Sequence, residues 1–79
     1  MDADNLVRMA NRIGEFFIAM PDRMEAKSGI VDHLRKFWDP RMREQLLAHI
    51  DREGSTGLAP LVLEAIKEQR SYLIPQRAS

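Results

Sequence analysis

The chain contains no cysteine, so disulfides, thiolate metal sites and nucleophilic thiols are excluded together, and nothing staples the fold covalently. That absence also fits a reducing cytosol. Charge of one sign is lacking too: Lys plus Arg and Asp plus Glu stand at 12 each, so no net field draws the chain toward nucleic acid or anionic lipid. No apolar run approaches the roughly 20 residues of a membrane span. The opening MDADNLVRM carries acids where a signal peptide would carry basic residues, and the expected location is the cytoplasm, with no membrane partner. Strand patterns, internal repeats and low-complexity segments are missing as well. What remains, 79 residues with 44% apolar and 30% charged, is one globular folding unit with a modest core, for which help from a partner is physically plausible.

The patterning is helical throughout. Leu6, Met9, Ala10, Ile13, Phe16, Phe17 and Met20 follow the i, i+3, i+4, i+7 rule of one helix face, with Asp2 or Asp4 as the cap and Pro21 as the stop. Within this helix, Gly14 is either a small residue that admits another backbone closely, with Ala10, or an exposed and mildly unfavourable glycine. A second helix starts at Asp22, with Glu25 completing a capping box, or later at Ser28-Gly29. Its apolar face is Ile30, Val31, Leu34, Phe37 and Trp38, and it ends before Pro40. Asp39 then reads as the cap and Pro40 as the first residue of a third helix bearing Met42, Leu46, Leu47 and Ile50, which ends near Gly54. A fourth begins at Pro60, with Leu58, Leu61, Val62, Ala65, Ile66, Gln69 and Leu73 inward and Glu64, Lys67, Glu68 and Arg70 in solvent. The expectation is an all-α, compact assembly of about four helices, three longer and one shorter, forming a single domain over 1–79 with 71–79 a partly disordered tail.

Candidate chemistry is sparse. His33 and His49 flank apolar faces, but neither has metal-ligand spacing or a Glu-x-x-His companion, so boundary histidines bonded to backbone or carboxylate are expected. The serines sit in no nucleophile elbow and the glycines in no phosphate loop. Neither catalysis nor metal binding is indicated.

The stretch HLRKFWDPRMREQLLAHI, from His33 to Ile50, is the dense one. Arg35, Lys36, Arg41 and Arg43 interleave with Phe37 and Trp38, as in a nucleic-acid binder, yet Asp32, Asp39 and Glu44 reduce the local surplus to one positive charge. A small helical nucleic-acid-binding protein is thus the alternative reading. Asp39-Pro40 forces a tight corner between the second and third helices. Arg41 and Arg43 lie at the positive end of the third helix dipole, where they call for compensation by Asp39, by Glu44, or by a carboxylate or carbonyl of a partner protein. Phe37 is expected in the core, and Trp38 in core or interface.

These residues resemble the hallmark of a family, the delta subunit of cytosolic NAD-dependent, molybdenum-containing formate dehydrogenase. LVRMANRIGEFF, Leu6 to Phe17, and GLAPLVLEAI, Gly57 to Ile66, resemble its first and last helices. The Phe37 to Arg43 run is the specific part. The resemblance implies an accessory subunit with no cofactor of its own, because the catalytic alpha subunit of such complexes holds molybdopterin and iron–sulfur centres. It further implies support of assembly or stability, through partner-binding residues among His33, Phe37, Trp38, Pro40, Arg41 and Arg43. An isolated chain could also form a homodimer that buries Phe17, Trp38 or Tyr72. One departure is Ala59, which stands where a polar cap is expected before Pro60, leaving Thr56 or water to cap that helix.

Overall fold

Three aspartates start the first three helices of the protein. A computed structural model describes residues 2–53 and 57–74. Asp2 accepts from the Asn5 N–H at 2.8 Å and opens α1, Ala3–Phe17. Asp22 accepts from Met24 N–H at 2.9 Å and opens α2, Arg23–Phe37, so the earlier of the two expected starts is the real one. Asp39 accepts from Met42 N–H at 3.0 Å and opens α3, Pro40–Glu53, with Pro40 where its missing N–H costs nothing. α4 is Pro60–Glu68 and α5 is Arg70–Leu73. Among the described residues there is no strand, and no helix is long and apolar enough to cross a membrane.

Two boundaries differ from the pattern-based expectation. α1 stops at Phe17 rather than Met20, because Ile18 N–H still bonds Gly14 but Met20 N–H turns back to Phe17 O at 3.0 Å, ahead of Pro21. The fourth helix breaks at Gln69, whose φ of −119° and ψ of 33° leave helical geometry and separate α4 from α5. Leu73 nonetheless reaches the core, as its place on the apolar face requires. The expected C-terminal cap at Gly54, the Thr56 cap and residues 75–79 of the expected 71–79 tail lie outside the described residues, while residues 71–73 of that stretch are helical.

Leu6, Ala10, Ile30, Leu34, Trp38, Val62, Ile66 and Leu73 share one core. The Cα radius of gyration, 11.8 Å, is what a folded chain of this length should have, about 11.6 Å. Two glycines permit the close helix approaches. Gly14 is buried, and a Cβ there would meet Val62 Cγ2 at 2.4 Å, so of its two readings the close approach holds, although the neighbour is a side chain of α4. Gly29 lies beneath the Phe17 ring, which an added Cβ would meet at 2.4 Å.

Charge supplies a second seam, between α2 and α4. Lys27 is only 8% exposed, and its ammonium donates to Glu68 at 2.9 and 3.0 Å and to Glu64 at 3.2 Å; Arg23 also pairs with Glu64. The hydrogen bonds from Arg23 and Lys27 draw the Glu64 carboxyl down to about 2, and Lys27 is pushed up, first of all by its bond to Glu68. Glu64, expected in open solvent, is half-buried in this cluster.

Ala59 lacks a capping side chain, as its type dictates. Asn11 of α1 reaches across instead: its Oδ1 accepts from Ala59 N–H at 2.8 Å and its Nδ2 donates to Gly57 O at 2.7 Å. The loop entering α4 is thereby held by α1. Gly57, with φ at +83°, is in the left-handed region that favours glycine.

Candidate partner-binding surface

The corner between α2 and α3 sorts its six candidate residues by the direction each one faces. α2 ends at Phe37, and Trp38 takes extended geometry with ψ of 135° while its N–H still bonds Leu34 O. That turn swings the indole inward, and Trp38 is 5% exposed. Phe37 goes the other way. It is 72% exposed, with its ring 4.7 Å from that of His33 one turn earlier, so the expectation that it packs in the core is corrected. As the last residue of α2, it is left outside when the chain turns at Trp38.

Arg43 is engaged within its own chain. It is half-buried on the first turn of α3, and its Nη1 donates to Leu73 O at 3.2 Å. Arg35 of α2 donates to Tyr72 O at 2.6 Å and lies over the Tyr72 ring, 4.6 Å from its centroid. The last carbonyls of α5, which have no partner within their own helix, are thus held by two guanidinium groups. This answers the dipole problem for Arg43: the compensating acceptor is a helix carbonyl of the same chain. Buried Arg43 Nε has no hydrogen-bond partner, the one such side-chain atom among the described residues.

Arg41 and Pro40 are exposed, and Arg41 makes no ion pair or hydrogen bond among the described residues. Asp39 is engaged by the α3 cap. The surface at this corner is therefore His33, Phe37, Pro40 and Arg41, while Trp38 and Arg43 hold the fold. The division also weakens the basic-aromatic strip read as a nucleic-acid surface, because Arg35 and Arg43 are committed to carbonyls and the indole is inside.

A second exposed aromatic was missed by pattern reading. Phe16 was assigned to the core face of the first helix but is 76% exposed, packed edge-on against Phe17 at 5.1 Å between centroids. At about 100° per residue it lies roughly 120° from the line of Leu6, Ala10 and Gly14, too far round to reach the core. Ile18, two residues on, and Met24, in the first turn of α2, are exposed as well. No group of three or more His, Cys, Asp or Glu among the described residues could hold a metal.

No curated protein and no solved structure matches the chain. A sequence model of the NADH-dependent formate dehydrogenase delta subunit, FdsD, matches residues 5–66, from the first turn of α1 into α4 and across the whole corner. The chain belongs to the formate dehydrogenase delta subunit family.

Proposed function

We propose that this protein is a non-catalytic accessory subunit of a cytoplasmic NAD-dependent formate dehydrogenase, binding the molybdenum-bearing catalytic subunit and supporting assembly or stability of the complex. It brings no cofactor and acts by contact. The observation that carries this reading is the exposed Phe37 ring packed on half-buried His33, with Arg41 exposed four residues on and paired with none of the described residues, within the stretch that the family match spans. Phenylalanine and arginine are among the residue types enriched at protein interfaces. The core behind them, with Trp38, Leu34 and Leu73, is built from this chain's own residues.

The test is co-expression with a tagged molybdenum-bearing subunit. The wild-type chain should co-purify, and Phe37→Ser with Arg41→Glu should retain the helical circular dichroism spectrum while losing much of the association. A wild-type chain that elutes entirely apart from that subunit overturns the reading.

A further inference from the structure

α5 has the build of a strap. It is a single turn, Arg70–Leu73, too short to keep its shape alone, and the backbone of Gln69 leaves helical geometry just before it, so it is a separate piece and not the end of α4. No side chain caps its start, and Leu73 is its one buried residue, with Tyr72 and Ile74 exposed on either side.

Its polar ties run to two other helices, and each uses a guanidinium. Arg35 of α2 donates to Tyr72 O and lies over the Tyr72 ring, Arg43 of α3 donates to Leu73 O, and Arg70 pairs with Asp51 of α3 at 2.7 Å. This closed arrangement satisfies Arg43 incompletely. Its Nη1 has the Leu73 carbonyl at 3.2 Å, but its buried Nε has no acceptor among the described residues, and a buried donor left without a partner is costly. The carboxylates close to it in sequence do not fill the gap: Asp39 caps α3, Asp51 holds Arg70, and Glu44 does not bond Nε.

A carbonyl oxygen on Nη1 uses one prong of the guanidinium fork. A carboxylate takes Nε and a terminal nitrogen in parallel, with charge assistance, and so offers Arg43 more than α5 does. Such a difference in affinity between two states is what an exchange of partners requires. The arginine also lies in the Phe37 to Arg43 run, inside the residues 5–66 that the family match spans, whereas α5 lies beyond them.

We infer that α5 is a strap that opens at Gln69 when this chain joins its complex, and that Arg43 then exchanges the Leu73 carbonyl for a carboxylate of another formate dehydrogenase subunit. Burial of Leu73 keeps the strap closed in the free chain, so the open form is the minor one until the partner supplies the better acceptor. The inference rests on the proposed role in the complex, to which it adds a conformational step and the chemistry of one contact.

The test compares amide hydrogen exchange in the free chain and in the reconstituted complex. The N–H groups of Tyr72 and Ile74 donate to Gln69 O and Arg70 O at 3.0 and 3.1 Å, so their protection reports the closed strap. Both should exchange at least tenfold faster in the complex. Tyr72→Ala removes an exposed ring that lies over Arg35 and empties no core site; it should loosen the strap and tighten association about two- to fivefold, the cation–π contribution at an exposed site expressed as a shift in the open population. Protection of both amides that is kept or increased in the complex overturns the inference while the role in the complex stands, and so does a folded Tyr72→Ala chain that associates no more tightly than wild type. A wild-type chain that joins no subunit defeats both.

Discussion

Arg43 on the first turn of α3 donates to the carbonyl of Leu73 at the end of α5, 30 residues further along the chain. Together with Arg35 on Tyr72 O, it fixes the last turn against the corner. Arg43→Ala should therefore cost about 1.5–3 kcal/mol in denaturant unfolding, the range for a charge-assisted hydrogen bond, and should speed amide exchange at Leu73 and Ile74. Arg43→Lys should recover part of the loss, since Leu73 O takes a single donor here and an ammonium supplies one.

Gly14→Ala would improve intrinsic helix propensity by about 0.8–1.0 kcal/mol in an exposed helix. Here it should destabilise, by about 1–3 kcal/mol, because the new methyl meets Val62, which is fully buried and stiff at χ1. The added Val62→Ala change should lower that penalty, a coupling that a double-mutant cycle measures. Gly29→Ala should be milder, since the obstructing Phe17 ring is only half-buried and able to swing outward.

Glu64 gives stability a particular pH dependence. Its carboxyl lies at about 2 in the folded chain against an ordinary value of 4.5, so the unfolded chain binds the proton more readily. The contribution is complete above about 4.5 and is lost as pH falls toward 2. Thermal unfolding of the wild type should weaken through that window, and Glu64→Gln should be less stable near neutrality with a flatter acid limb. Lys27 acts at the other end: its folded value is raised, so its share is complete below 10.5 and fades as pH climbs past it.

Asn11 clamps the entry to α4 with one donor and one acceptor. Asn11→Ala removes both and should cost about 1–3 kcal/mol, because Ala59 N–H, in a partly buried setting, loses its partner. Asn11→Asp keeps the acceptor but sets a carboxylate against Gly57 O, and should recover only part of the loss. Urea unfolding of the three chains ranks them directly.

The two rings at the corner should part company on substitution. Trp38→Ala empties a core site and should cost about 3–5 kcal/mol, whereas Phe37→Ser should change stability by no more than about 0.5 kcal/mol. Equal losses from the two changes would contradict the burial assignment.

Much of this fold is written in local chemistry. The caps at Asp22 and Asp39, the proline starts at 40 and 60 and the apolar faces through Leu34 and Ile66 depend on residues within a turn of each other, which is why they are legible in the sequence. The site was less so. Periodicity placed Phe16 and Phe37 inward because it reports a broad face and cannot say where a neighbouring helix ends. The acceptor for Arg43 lies 30 residues away, and Asn11 acts over 48, so no local pattern announces either. A signal for the α2–α4 cluster was present: Arg23 with Lys27 and Glu64 with Glu68 are each spaced at i, i+4, two complementary ladders on separate helices.

The central claim, that this chain works as a bound subunit of a formate dehydrogenase, is tested most directly by native purification from the source cell, following this chain and NAD-linked formate oxidation through the same columns. A permanent subunit should co-elute with the activity at constant ratio, and a Phe37→Ser, Arg41→Glu chain should fall away from it while remaining folded. Recovery of the wild-type chain only in fractions that contain no formate dehydrogenase subunit would contradict the account.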